Sequence, residues 1–122
     1  MFLRGKSTSL AKPKKLHSLD YLKYLCSVLQ KHSTVTDQNT AIIVEVFRLI
    51  AEILIWGDQN DSSVMDYFLE MNMLEHLMKY LKQNTGRMLC VQLLQTLNIL
   101  FENITNKTAI CLFLLSVVVK RS

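Results

Sequence analysis

Histidine and cysteine are the residues of this sequence best suited to hold a metal or to act as nucleophiles. They are His17, His32 and His76, and Cys26, Cys90 and Cys111. No histidine has a second ligand at metal-binding spacing on the same predicted helix face, and no two cysteines have CxxC spacing. No cysteine has an evident histidine partner. We therefore predict no metal site and no catalytic residue, and interpret the thiols as buried and inert in a reducing compartment.

The densest group of polar side chains, residues 58–63, begins like a calcium-binding loop. Oxygen-bearing side chains occupy its first, third and fifth positions. Ser63, however, stands at the sixth position, where the loop needs glycine, and Leu69 stands at the twelfth, where it needs glutamate. We reject calcium and predict instead that Gly57 ends one helix, while Asp58 and Asp61 satisfy free N–H groups at the start of the next.

Other functional motifs are missing from the sequence. It contains no P-loop, no GxGxxG and no GxSxG. Lys79, Lys82 and Arg87 form a small basic cluster around Gly86, which is ordinary for solvated helix ends. We therefore expect the protein not to be an enzyme, to need no cofactor or small-molecule substrate, and to bind no nucleic acid.

The charge of the chain is concentrated at its N-terminus. The net charge is +4, and residues 1–17 hold five of the 14 basic residues and no acid. The remainder, with nine basic and ten acidic residues, is close to neutral. We interpret residues 1–16 as a basic, disordered arm without the apolar core of a secretory signal. As alternatives, the arm binds nucleic acid or an acidic membrane, or serves as a mitochondrial presequence.

Hydrophobic periodicity and capping residues predict a chain of helices. Half of the 122 residues are hydrophobic, with three glycines and one proline, which favours long helices over a sheet. The predicted helices are Ser18 to about Lys31, Thr36 to Trp56, Asp61 or Ser62 to Glu70, Leu74 to Gln83 after a break at Asn72, and about Arg87 to Ile104. A last apolar segment covers Ala109 to Val119.

The two long helices resemble each other when the chain is shifted by 47 residues. Six apolar positions of the second helix then fall on apolar positions of the fifth, whereas Glu52 falls on Ile99 and Ile55 on Glu102. This spacing predicts an all-α, armadillo/HEAT-like repeat stack. Two unrelated amphipathic helices that happen to align remain the alternative. The predicted core is Ile50, Leu54, Phe68, Leu77, Leu94, Leu97 and Phe101.

Several stretches closely resemble one known family. The longest are residues 52–64, EILIWGDQNDSSV, and residues 91–104, VQLLQTLNILFENI; shorter ones are 17–20, 22–25, 67–70 and 72–73. Through these stretches the chain resembles the FPL-domain family of Ema-like (endosomal maturation) proteins, whose vertebrate members are named after C-type lectin domains. The resemblance covers roughly residues 17–110.

The resemblance implies a large cytosolic protein at the cytosolic face of endosomes and lysosomes. It implies a non-enzymatic interaction or scaffold role in endosomal maturation, autophagy and mitophagy, with an E3 ubiquitin ligase and a lysosomal tethering subunit as partners. Peripheral membrane association is a further possibility. The family offers no residue-level site to transfer to this chain.

The sequence departs from the family pattern in two places. Residues 111–122 form a divergent apolar tail, so we expect a truncated isoform or fragment, or a gene model that reads into an intron. Met78-Lys79-Tyr80 is less aromatic than the family's stretch, which predicts a surface that binds differently. The predicted organisation is therefore an arm, residues 1–16, an FPL-type domain, residues 17–110, and the tail.

Overall fold

The computed structural model describes residues 16–83 and 87–105, and these residues form five α-helices and no strand. The helices are α1 (Leu19–Lys31), α2 (Thr40–Asn60), α3 (Ser62–Glu70), α4 (Met73–Lys82) and α5 (Arg87–Asn103). The all-α prediction is confirmed. The predicted arm, the turn at residues 84–86 and the tail lie outside the described residues, apart from Leu16.

Helix α1 begins and ends where the sequence predicts. Its N-cap is Ser18, whose hydroxyl accepts a hydrogen bond from the Tyr21 N–H at 3.1 Å. This bond satisfies one of the N–H groups that the first turn leaves without a helical partner. The buried stripe along the helix is Tyr21, Leu22, Leu25, Cys26 and Leu29.

Helix α2 starts three residues later than a Thr36 cap would place it. Residues 37–39 form a turn in which the Thr36 hydroxyl accepts from the Asn39 N–H, and the Asn39 side chain accepts from the Thr36 N–H. The Asn39 amide also donates to the Thr34 carbonyl at 2.9 Å. Thr36 therefore caps the turn that leads into the helix, and the buried Asn39 is the N-cap residue.

The predicted end of α2 at Gly57 is wrong, because the helix continues for one more turn to Asn60. Gly57 is buried inside the helix, directly against α3. A Cβ atom at this position would lie 2.7 Å from the Val64 Cβ, well inside van der Waals contact. The glycine therefore permits close approach of two helices, and residues 58–60 are helical rather than a loop.

The short helices α3 and α4 agree with the sequence prediction, except that Asp58 does not cap α3: it lies inside α2 and accepts from Thr105. The Asp61 carboxylate accepts from the N–H of Ser63 at 3.0 Å and caps α3. Between the two helices Asn72 adopts a left-handed conformation, with φ of 52°. Asparagine tolerates this region better than most residues, so it separates the helices where the sequence places the break.

Helix α2 lies at the centre of the packing and contacts α1, α3 and α5. The C-terminal ends of α2 and α5 meet where the Asp58 carboxylate accepts from the backbone N–H of Thr105, 47 residues away. One turn or more earlier, Phe47 and Ile50 line the same small cavity as Leu93 and Leu97. The two long helices are therefore parallel neighbours, as the repeat hypothesis requires; a longer repeat stack stays a prediction.

Most of the predicted core is buried, but Leu94 is not. Ile50, Leu54, Phe68 and Leu77 are buried, and Leu97 and Phe101 pack partly buried against them. Leu94 is 54% exposed, whereas its neighbour Leu93 is fully buried. The buried positions of α5 are Leu89, Leu93, Leu100 and Ile104. The prediction was wrong because α5 is apolar over much of its circumference, so sequence periodicity did not fix which stripe faces α2.

Candidate protein-interaction surface

An open groove runs between the C-terminal half of α2 and the middle of α5. Its volume is about 450 Å³, and we call it the α2–α5 groove; its lining residues are Arg48, Ala51, Glu52, Ile55, Thr96 and Ile99. The side chains come from helix positions three or four residues apart, so each helix contributes one continuous strip. The groove combines an apolar floor with a charged edge.

The charged edge of the α2–α5 groove is a row of side chains along α2. The Arg48 guanidinium donates to both Glu45 carboxylate oxygens, at 2.9 and 2.7 Å, and to Glu52 at 3.1 Å. This bonding lowers the pKa of the Glu45 carboxyl and raises the pKa of Arg48. Both shifts favour the charged forms. All three side chains are about half exposed, so the row is a charged surface rather than a buried network.

The segment before α1 adds an aromatic group to the same edge. The His17 Nε2 atom lies 3.6 Å from Glu52, and its ring stacks on Trp56 with centroids 5.8 Å apart. Leu16 and His17 therefore lie along α2 at the point where the chain enters the described structure. Leu16 remains more than half exposed, so this part of the surface is also apolar.

Helix α5 exposes an unusual amount of apolar surface. Its exposed large hydrophobic side chains are Met88, Val91, Leu94 and Ile99. Exposed hydrophobic residues are common singly, and four on one helix give α5 several apolar side chains available for contact. Ile99 also lines the α2–α5 groove.

The three histidines lie in different parts of the fold. Among residues 16–83 and 87–105, three or more His, Cys, Asp or Glu side chains do not gather in a metal-holding arrangement. His17 lies at the groove edge, and the His32 ring contacts Asn39 at 3.3 Å. His76 is half-buried on α4. The histidines are thus separated in space as well as in sequence.

Two cysteines can be placed. Cys26 is buried in α1, where burial raises the pKa of its thiol to about 12, so it is held protonated as the inert-thiol interpretation expects. Cys90 is half-buried on α5. Cys111 lies outside the described residues.

The surface predicted to differ at Met78-Lys79-Tyr80 proves to be partly a structural contact. Tyr80 is buried and packs edge-on against Phe47, with ring centroids 5.7 Å apart. Its hydroxyl donates to the His32 carbonyl at 2.7 Å, which ties α4 to the connector after α1. Gln83 adds two bonds to the same connector, at Ser33 and Val35. Only Lys79, with Lys82, is exposed as the solvated helix end that the sequence predicts.

Sequence reasoning missed the α2–α5 groove, although a signal for it was present. The two positions that break the 47-residue self-match are Glu52 against Ile99 and Ile55 against Glu102. Three of these four residues line the groove. Positions that depart from the repeat pattern therefore coincide with the candidate surface, whereas the matching positions lie mostly in the core.

Comparison with known proteins shows the family to which the chain belongs. A family model named FPL, described as an uncharacterised conserved protein, matches residues 47–120, more than half of the chain. The chain belongs to the FPL family. The resemblance read from the sequence is thereby confirmed.

Curated relatives of this FPL-family chain occur in animals and plants. It is 62% identical over 95 residues to human Protein CLEC16A, and these residues cover 78% of this chain and 9% of that protein. It is 60% identical over 112 residues to the Caenorhabditis elegans Protein CLEC16A homolog, covering 92% and 12%. It is 34% identical over 102 residues to Protein TRANSPARENT TESTA 9 of Arabidopsis thaliana, covering 84% and 12%. The chain spans about a tenth of the length of these relatives. No solved structure matches it.

Proposed function

We propose that this chain is part of a non-enzymatic protein-interaction module that acts in endosome–lysosome trafficking and autophagy, including mitophagy. Membership of the FPL family supports this proposal. The pathway itself is what the resemblance to the Ema-like proteins implies. The α2–α5 groove and the exposed apolar side chains of α5 supply a surface on which proteins can dock. The expected partners are an E3 ubiquitin ligase and a lysosomal tethering subunit, at the cytosolic face of endosomes and lysosomes.

The charge of the described surface favours protein over nucleic acid or acidic lipid. Glu45 and Glu52 outnumber Arg48 along the groove edge, and all three are exposed. Phosphate groups would be repelled there, since nucleic-acid and anionic-membrane binding depend on clustered Lys and Arg. None of the described helices is long and apolar enough to cross a membrane.

Proximity labelling with the full chain in cells tests the proposed function. We expect the labelled proteins to include an E3 ubiquitin ligase and a lysosomal tethering subunit, and the same chain to recover little RNA. The labelling enzyme expressed without the chain serves as the control for non-specific labelling. Recovery of RNA that disappears steeply with added salt, in place of trafficking proteins, would contradict the proposal.

A further inference from the structure

We propose that the α2–α5 groove binds a basic peptide segment of a partner protein, which inserts a bulky apolar side chain between Ile55 and Ile99. This inference rests on the proposed function as an interaction module and specifies the chemistry of the ligand. The arguments are the apolar floor of the groove, the excess of carboxylates around it and the arrangement of both along the two helices.

The floor of the groove offers an apolar contact to a ligand. Ala51 forms its base, and Ile55 and Ile99 stand on either side. The Ile99 side chain is 54% exposed, and Ile55 is partly buried. A leucine or phenylalanine side chain placed between them would remove apolar surface of both partners from water, which is the main driving force for association.

The charges around the floor select a basic ligand. Glu45 and Glu52 are exposed on α2, where Arg48 pairs with both, and Glu102 is exposed on α5 one turn beyond Ile99. Helices α2 and α5 together contain four acidic and two basic residues, which gives a net charge of −2, whereas the whole chain carries +4. A Lys- or Arg-rich segment is therefore attracted to this face of the two helices.

The order of apolar and acidic side chains gives the ligand its pattern. In the parallel register of α2 and α5, Glu52 is the counterpart of Ile99 and Ile55 that of Glu102. Along α2 the glutamate precedes the isoleucine, whereas along α5 the isoleucine precedes the glutamate. A ligand fits both strips when basic residues lie one helical turn from its apolar anchor, on either side.

Charge also argues against a second copy of the same surface as the occupant. Two such grooves facing each other would bring their carboxylates together, and like charges across an interface disfavour association. The groove is accordingly assigned to a partner of opposite charge.

Fluorescence anisotropy with a defined probe tests the proposal. The probe is a labelled amphipathic peptide with leucines along one helical face and lysines beside them, and the control peptide carries glutamate at each lysine position. We expect the full chain to bind the lysine peptide and not the glutamate peptide. The Ile99→Arg variant should weaken binding by about tenfold or more, because it blocks the floor and adds a like charge.

Two further variants separate the groove from general surface charge. Arg48→Gln should strengthen binding of the lysine peptide severalfold, because it leaves Glu45 and Glu52 without their cation; loss of structure would instead weaken binding. Met71→Arg, at an exposed methionine after α3, adds the same charge outside α2 and α5 and should change the dissociation constant by less than about twofold. Equal losses in Ile99→Arg and Met71→Arg, or unchanged binding in both, would overturn the assignment.

The same variants distinguish this inference from the proposed function. If Ile99→Arg abolishes peptide binding while wild-type chain labels no trafficking protein, the groove is confirmed and the pathway is wrong. If the labelled trafficking partners are retained in Ile99→Arg and the lysine peptide does not bind wild type, the groove assignment is wrong and the interaction function stands. If a chain lacking residues 1–15 binds the lysine peptide and the full chain does not, the occupant is the chain's own arm and the partner assignment is overturned.

Discussion

The carboxylate of Asp58 accepts two hydrogen bonds from Thr105, one from its backbone N–H and one from its hydroxyl, each 2.8 Å long. The Gln59 side chain also donates to the Thr105 hydroxyl, at 3.1 Å. These bonds join the last turn of α2 to the end of α5 across 47 residues of sequence. They hold the parallel register of the two helices on which the α2–α5 groove depends.

Removal of the Asp58 carboxylate should loosen this junction. We expect Asp58→Ala to lower the free energy of unfolding by about 1 kcal/mol, the usual net value of such bonds. Thr105→Val removes the hydroxyl bond but keeps the bond from the backbone N–H, so it should cost less than Asp58→Ala. The double variant should cost less than the sum, because both changes remove the bond between the hydroxyl and the carboxylate. Urea denaturation measures all three. Asn103→Ala, which removes a bond within α5 alone, is the control; strictly additive effects of the first pair would contradict the coupling.

A methyl group at Gly57 should destabilise the protein, although alanine favours a helix. The new Cβ would lie 2.7 Å from the Val64 Cβ, so α2 and α3 must move apart. Overpacking of this kind costs about 1–3 kcal/mol, against at most about 1 kcal/mol gained in helix propensity. Thermal unfolding of Gly57→Ala should therefore show a lower midpoint, while Asn60→Ala in the exposed last turn should not. A higher midpoint for Gly57→Ala would show that the helices are not in close contact.

Adjacent leucines on α5 should respond very differently to truncation. Leu93 is fully buried, and Leu94 is 54% exposed. We expect Leu93→Ala to cost about 2–5 kcal/mol and Leu94→Ala less than about 0.5 kcal/mol. Guanidinium denaturation of the two variants measures the difference. Equal costs would mean that the α5 face is assigned wrongly by one residue.

Alkaline pH should destabilise the fold through Cys26. Burial raises the pKa of its thiol from the ordinary value of 9.0 to about 12, so the unfolded chain loses this proton first. The stabilisation is complete below pH 9 and is lost as pH rises from 9 to about 12. The free energy of unfolding should fall across this window, and the Cys26→Ala variant should show a smaller fall. An identical pH dependence in both proteins would exclude the thiol as a cause.

Local sequence signals were sufficient for most helix boundaries. Ser18, Asp61 and Asn72 each act through hydrogen bonds or backbone conformation within a few residues, so their effects can be read without tertiary structure. Thr36 was recognised as a capping residue, but its bond with Asn39 places a turn before the helix. Gly57 was misread because a glycine can serve either a helix end or a close contact, and only the position of Val64 distinguishes them.

The sequence by itself determined the all-α class, the approximate positions of the five described helices and the family, because capping, hydrophobic periodicity and long similar stretches are properties of the chain. The tertiary structure decided which stripe of α5 is buried and where the α2–α5 groove lies. Leu93 and Leu94 are equally apolar, so which of them is buried depends on the rotation of α5 about its own axis as it packs against α2. The groove likewise joins Glu52 and Ile99, which become neighbours only when two distant helices pack in parallel.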